Sequence, residues 1–332
     1  MASRKQFIER RDNVASIIAY VRQVGRATRM QISSALSLSW ACVSDLVSLL
    51  LEKEVLLESQ DRIEQSESRG RTPVFLTLND SKYFLGVDIN DSGVAVSVLG
   101  MSGKLLRFKK WEPKEFEGPE ELSSCVLLKI EQMLTSNIDC CGIGVAMEGT
   151  RSDKGWRYPF VRGYEEYDPA PIINERFGLP VFVRHDPECM LYALNDTMDG
   201  DCIVIRSDNG IGVAAMKQGR ILDFPLELGN VRIGDVNLRK ILRLYLENKE
   251  DPQGKRIGKE LGRSAGNLAM LLGIEKIFIV GEIIDWFSEI EADFDSALKE
   301  LGQNLSFEVS SIFDASEGAA KLAMSKYPIT KY

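Results

Sequence analysis

Thr28-Arg-Met-Gln-Ile-Ser-Ser-Ala-Leu-Ser-Leu-Ser-Trp-Ala-Cys-Val-Ser-Asp-Leu-Val-Ser-Leu-Leu-Leu51 reads as two short helices joined by a tight turn. Thr28 and Ser39 sit where N-caps belong, each offering a side-chain oxygen to an unpaired backbone N–H of the first turn. Met30, Ile32, Ala35 and Leu36 predict an apolar face on the first helix; Val43, Leu46, Val47 and Leu50 predict one on the second, at helical spacing. Ser37-Leu38 makes the turn and tucks one apolar residue beneath both helices. This is the arithmetic of a helix-turn-helix, whose second helix can enter the major groove of DNA.

Working outward, residues 12–24 predict a preceding helix, capped by Asp12 or Asn13 and stopped by Gly25. Downstream, residues 54–58 and Pro73-Val-Phe-Leu-Thr-Leu78 flank a polar stretch, which predicts two strands around a loop and therefore a winged helix-turn-helix over 1–80. Thr28, Arg29, Ser39, Trp40, Ala41 and Ser44 are the candidate groove or phosphate contacts. Arg69 and Arg71 on the wing are candidates for phosphate or the minor groove. Trp40 has two readings: packing against the sugar–phosphate edge, or stapling its helix to the turn. No Arg, Asn or Gln falls on the presumed reading face, so base choice is expected to lean on DNA shape and the wing.

The 332 residues suffice for two or three domains, and an apolar fraction of 44% supports true cores. The net charge is −8, yet the first 80 residues balance 11 Lys/Arg against 10 Asp/Glu. An acidic body carrying a small DNA-reading module fits this better than a protein that coats nucleic acid. No apolar run approaches the ~20 residues of a membrane span, and the polar start does not look like a secretory signal. The six cysteines lack CxxC spacing and read as buried thiols of a cytoplasmic protein.

Beyond the junction Asn79-Asp-Ser-Lys82 the pattern becomes α/β. Strands are expected at 83–89, 94–99, from 103 onward, at 140–147, 180–184, 202–206, 211–216 and 277–280; helices at 118–136, 235–248, 254–272 and 316–324. A hairpin, strand and helix followed by a similar hairpin predicts two lobes with a cleft between them. The boundaries follow as 81–185 plus a C-terminal helix within 314–332 for the small lobe, and 186–313 for the large lobe. Neither a GxGxxG nor a P-loop spacing occurs in the strand–turn–helix context it needs.

The order of winged helix, Gly86-Val-Asp-Ile89, Gly142-Ile-Gly-Val145, Pro180-Val-Phe-Val-Arg-His-Asp186, Asn209-Gly-Ile-Gly212 and Glu227-Leu-Gly229 resembles the ROK family (repressors, open reading frames, kinases) over essentially the whole chain. The resemblance implies a body of the actin-like, ribonuclease-H-like ATPase fold. Members with a winged head are sugar-responsive repressors, and members without one are often sugar kinases. Phosphoryl transfer needs backbone amides and small residues around the phosphates, magnesium, and a base for the accepting hydroxyl. The family's first phosphate loop resembles Asp-Ile-Gly-Gly-Thr-Lys, where this chain has Asp88-Ile-Asn90-Asp91-Ser92-Gly93. The second resembles Gly-Thr-Gly-Ile-Gly-Gly-Gly, where it has Asp208-Asn209-Gly210-Ile-Gly-Val-Ala214. A Gly-Gly pair on the adenosine side is Gly281-Glu282 here.

A carboxylate at Asp208 would repel phosphate by about 1 kcal/mol at 4 Å even in water. ATP and magnesium are therefore not expected as cofactors. Asp186 matches the family's catalytic base, and it follows His185, the chain's single histidine, rather than Asn. Lacking a phosphate seat, it reads as a ligand-binding or structural carboxylate. The family's zinc site uses the His of Glu-Ile-Gly-His and three downstream cysteines; here Glu227-Leu-Gly-Asn230 lacks the His and no cysteine follows Cys202, so no zinc is expected. His185, Asp186, Glu227 and Asn230 are left as candidates for a sugar or sugar derivative, since a carboxylate accepts two hydroxyl donors. The expected protein is a transcriptional regulator, most simply a repressor, acting without kinase activity as a homodimer or tetramer on a palindromic operator. An ATP-dependent sugar kinase with a regulatory head and a purely dimerising body are the alternatives.

Overall fold

The computed structural model describes residues 4–60, 73–90, 93–112, 116–134, 139–152, 155–157, 166–194, 200–208, 210–222, 226–302, 304–311 and 314–331. The head begins with α1 (Arg4–Val24), which starts upstream of the expected Asp12/Asn13 cap. Its extra turns are built from residues with no breaker among them, and Gly25, at φ 77°, ends it as expected. Helix α2 (Arg29–Leu36) carries a complete capping box: Thr28 accepts from the Gln31 N–H, and the Gln31 side chain accepts from the Thr28 N–H. Ser37 then turns left-handed at φ 53°, and Ser39 caps α3 (Trp40–Glu52) by accepting from the Cys42 N–H. Each cap is worth about 1 kcal/mol.

On α3 the expected apolar face is buried, with Val43, Leu46, Val47 and Leu50 all in the head core. On α2 the expectation is half wrong. Ile32 is buried, but Met30 is 71% exposed and Ala35 also faces solvent. A helix of eight residues has only about two turns, and Ile32 with the partly buried Leu36 already seats it in the head core. Strands β1 (Leu56–Gln60) and β2 (Val74–Leu78) pair antiparallel as the wing, and Ala27 bridges to Leu76 as a short third rung.

The head is packed onto the body rather than tethered to it. Its core continues through Phe84, Leu99, Met101, Cys141, Ala320, Ala323, Met324 and Tyr327 of the following domain. Arg22 donates from Nε and Nη2 to the Met101 carbonyl at 3.2 and 3.1 Å.

In the small lobe, β3 (Lys82–Asn90), β4 (Gly93–Gly100), β5 (Leu105–Trp111) and β6 (Asp139–Met147) follow, with α4 (Pro119–Met133) between β5 and β6. A three-stranded flap, β7 (Thr150–Ser152), β8 (Gly155–Arg157) and β9 (Glu166–Tyr167), leads through α5 (Pro169–Phe177) to β10 (Val181–His185). The sheet order is β10-β6-β3-β4-β5, with β10, β6 and β3 parallel. All nine residues of β3 are buried, Lys82, Asp88 and Asn90 among them, because the strand is covered on both faces. Tyr83, Leu85, Val87 and Ile89 point toward α4, while Phe84 belongs to the core on the opposite face. Strand parity thus puts Gly86 and Asp88 on Phe84's side.

The large lobe follows α6 (Asp186–Leu194). Its main strands are β11 (Cys202–Ser207), β12 (Ile211–Lys217) and the short β13 (Arg220–Ile221) and β14 (Leu226–Glu227). A hairpin of β15 (Arg232–Ile233) and β16 (Val236–Asn237) precedes α7 (Leu238–Glu247) and α8 (Ile257–Leu272), and then come β17 (Lys276–Val280), α9 (Glu291–Leu301) and β18 (Ser306–Val309). The order is β13-β12-β11-β17-β18, with β14 pairing β12. The flap, α5, α9 and β18 were not anticipated; they are short or lack clean periodicity.

The closing helix α10 (Ser316–Lys331) lies against β3, β6 and α6. Glycines allow that approach: a Cβ on Gly86 would fall 1.8 Å from the Ser316 carbonyl oxygen, and one on Gly144 would fall 1.8 Å from that of Ala319. Helices α6 and α10 form a buried layer with Val204, Ala214, Phe278 and Val280 of the large-lobe sheet and Ala146 of the small-lobe sheet. The architecture is α/β, a winged helix-turn-helix followed by a two-lobed actin-like body. No helix among the described residues is long and apolar enough to cross a membrane.

Candidate functional site

The carboxyl ends of the parallel strands in both sheets face the cleft between the lobes, the usual ligand side of an α/β sheet. Asp88 lies near the end of β3, His185 ends β10, Asp186 opens α6 and Arg206 lies next to the end of β11. Arg206 is on the same strand face as Cys202 and Val204, which are buried toward α6 and α10. Its side chain is 3% exposed, and its guanidinium holds three carboxylates at once. Nη2 donates to Asp88 Oδ2 at 3.2 Å, Nε donates to Asp208 Oδ2 at 2.7 Å, and Nη1 is ion-paired with Asp186 Oδ2 at 3.0 Å. Asp88 Oδ2 also accepts from the Ala315 N–H at 2.8 Å, just before α10, and from the Asn90 amide at 3.1 Å. Burial pushes the Asp88 carboxyl up, with Arg206 pulling against it.

Beside this knot stand the sugar-site candidates. His185 Nε2 lies 3.2 Å from Asp186 Oδ1 and 3.4 Å from Glu227 Oε1, and its ring stacks on Trp156 of the flap at 6.0 Å between centroids. Glu227 in turn pairs with Arg239 of α7 at 3.2 Å. Burial alone would lower the His185 imidazole, but Asp186 and Glu227 outweigh it and hold the ring above its ordinary value. Burial pushes Asp186 up to about 6, against the pull of Arg206 and His185. The structure therefore brings His185, Asp186 and Glu227 together. Asn230 ends the turn after β14 and is exposed. Trp156 and Arg239 were missed by sequence reasoning, because the flap and α7 give no local sign that they line the cleft.

Arg206 was the larger omission, and a signal was available: a lone cation in the apolar run Cys202-Ile-Val-Ile205, two residues before Asp208. It changes the reading of Asp208. That carboxylate does not stand as a bare negative charge; it is tied to Arg206, and its other oxygen accepts the Glu282 N–H at 2.8 Å. Gly281, at φ 89°, lies so close that a Cβ there would be 2.6 Å from Asp208 Oδ1. Asp91, Ser92 and Asn209 lie outside the described residues, and Gly210 follows directly on the second loop. The backbone N–H that opens the Gly281-Glu282 turn is already occupied, and the cation at the centre of the cleft belongs to the protein itself.

In the head, Trp40 is 58% exposed at the start of α3, which leaves most of its ring open to a partner. Ala41 is exposed beside it and Ser44 is half-buried. Met30 on α2 joins Trp40 as a large exposed apolar side chain, and Asp45 and Ser48 complete the outer face of α3. Thr28 and Ser39 are engaged as caps. Arg29 pairs with Glu58 of β1 at 2.9 Å, fastening α2 to the wing. Arg69 and Arg71 lie outside the described residues.

A winged-helix head seated on a two-lobed actin-like body defines the class of protein. No family model matches the chain. In sequence it is similar to the DNA-binding transcriptional repressor Mlc of Escherichia coli K12, 22% identical over 63% of this chain and 54% of Mlc. It is similar also to the DNA-binding transcriptional dual regulator NagC of the same organism, 24% identical over 69% of this chain and 58% of NagC. The chain thus spans a little over half the length of these curated relatives. In structure it is similar to a ROK family transcriptional regulator described as a homologue of E. coli Mlc, with TM-score 0.77, 19% identity and coverage of 96% of this chain and 97% of the other. A ROK family glucokinase from Streptomyces griseus, solved with glucose and AMPPNP, matches 72% of this chain and 98% of its own with TM-score 0.56 and 18% identity. In sequence the chain is thus similar to ROK-type repressors, and in fold it is similar to a ROK family regulator and a ROK family kinase.

Proposed function

We propose that this protein is a DNA-binding transcriptional repressor whose body senses a sugar or sugar derivative and does not phosphorylate it. The observation that carries the reading is the buried knot in which Arg206 holds Asp88, Asp186 and Asp208, at the positions that the family resemblance gives to the phosphate loops and the catalytic base. The named functions of Mlc and NagC support the same assignment. In this reading α3 enters the major groove with Trp40, Ala41 and Ser44, and the protein acts as a homodimer on a palindromic operator. His185, Asp186 and Glu227 take sugar hydroxyls, with the Trp156 ring as an apolar wall. Neither zinc nor Mg·ATP is needed. A sugar controls DNA binding only by favouring one lobe arrangement over the other.

The second reading, a sugar kinase with a DNA-binding head, is favoured by the Asp186 carboxyl, held up at about 6 beside an imidazole as a base would be. One pair of assays separates the two. The full chain should bind DNA from its own upstream region in a salt-dependent gel shift, while a panel of hexoses and N-acetylhexosamines should give no ADP from ATP. Turnover that disappears in Asp186→Asn would overturn the repressor-only reading. Absence of DNA binding by the apo and sugar-loaded protein would overturn the assignment of the head.

A further inference from the structure

A cavity of about 550 Å³ opens where the head meets the body. It shares no lining residue with the Asp186–His185–Glu227 cluster, and its wall is drawn from α1 of the head, β10, α6, the β12–β13 turn and α10. Five cations line it, Arg22, Arg184, Arg220, Lys321 and Lys326, against the single carboxylate of Glu188. In a chain of net charge −8 such a concentration of like charge is costly, because each close pair repels by about 1 kcal/mol in water and by more at a half-buried junction.

Part of that charge is spoken for. Arg22 donates from Nε and Nη2 to the Met101 carbonyl, Arg184 pairs with Glu188 at 3.6 Å, and Lys321 pairs with Glu317 at 3.1 Å and donates to the Ala193 carbonyl. Arg220 and Lys326 make no hydrogen bond or ion pair among the described residues. The positive charge is therefore in excess, and it faces a concave space within the size range of small-molecule sites. Tyr192 and Ser325 add hydroxyl groups to the same wall.

We propose that this junction cavity binds a small phosphorylated metabolite of sugar-phosphate size, whose dianion bridges Arg22 of the head to Arg184, Arg220 and Lys326 of the body. Guanidinium forks match phosphate oxygens in pairs, and the tyrosine and serine hydroxyls suit the polar remainder of such a molecule. A ligand gripping both parts tunes how the head is held, which makes the site a second input, separate from the interlobe cleft. The inference does not rest on the cleft's sugar-binding role.

The test is isothermal titration and thermal melting of the full chain at low salt, with inorganic phosphate, a hexose 6-phosphate and the unphosphorylated hexose as probes. The hexose phosphate is expected to bind and raise the melting temperature, inorganic phosphate to bind more weakly, and the neutral hexose to leave the titration unchanged. The double variant Arg220→Gln/Lys326→Gln, which removes no side-chain bond among the described residues, is expected to melt like the parent without ligand and to bind the hexose phosphate at least about tenfold more weakly. Three results would each overturn the proposal: no binding of the hexose phosphate, equal affinity in the double variant, or displacement by the neutral hexose. A double variant that instead loses operator binding without ligand would assign these cations to the DNA backbone and overturn it too.

Discussion

Arg206 holds Asp88, Asp186 and Asp208 together in a space almost closed to water. Removing one partner from a buried ionic cluster strands the others, typically at about 3–5 kcal/mol. Arg206→Ala should therefore lower stability by that order in urea unfolding, whereas Asp208→Asn, which keeps an oxygen for the Glu282 N–H, should cost no more than about 1–3 kcal/mol. A cluster that contributed nothing would leave both midpoints in place. The pH dependence belongs to the same residues. A carboxyl held up at about 6 keeps its proton in the folded chain where the unfolded chain has lost it, so Asp186 makes stability fall as pH rises from about 4 toward 6. His185, held above its ordinary value, adds stability that is complete below about 6.5 and lost as pH climbs through its folded value. Both effects have the same sign. The parent should melt higher at pH 4.5 than at pH 8 relative to His185→Gln/Asp186→Asn, and a difference independent of pH would refute the assignment.

At the scale of elements, α3 and α10 make separate predictions. Trp40 is capped into place by Ser39 and exposed, so Trp40→Ala should leave the melting temperature nearly unchanged while weakening operator binding by about tenfold, read by gel shift. Equal DNA affinity would move the contact surface elsewhere. Gly144→Ala places a Cβ into the Ala319 carbonyl, and because backbone must move to admit it, the variant should lose several kcal/mol or fail to fold. A stable Gly144→Ala protein would show that α10 is not pressed against the sheet. These elements also show how far the sequence could be read. The caps Thr28 and Ser39 and the strands around Gly86 and Gly142 were legible because local chemistry decides them. Met30 pointing outward, Arg29 turning to Glu58 and Arg206 crossing to the small lobe were not, because each depends on a partner far away in sequence. Of the candidate site, His185, Asp186 and Glu227 were found by motif order. The cation that organises them was printed in the same strand but carried no motif.

Taken whole, the molecule has a continuous interior from head to small lobe, since Phe84, Ala320, Ala323 and Tyr327 lie in the same apolar cluster as Ile17, Ile32 and Val47. Phe84 meets Tyr327 edge to face at 5.5 Å. Truncating a ring at such a junction should cost about 3–5 kcal/mol. Phe84→Ala should also split the calorimetric unfolding of the full chain, with a head transition separating from that of the body. A single cooperative peak in the variant would mean that the two parts are joined by other means.

The participation of α10 in the head's interior also has a consequence for biosynthesis. Translation delivers the groove-reading helix early, but the residues that complete its packing, around position 320, leave the ribosome long afterwards. A partly made polypeptide thus carries a head whose interior stays unfinished until the last helix of the body has also been synthesised.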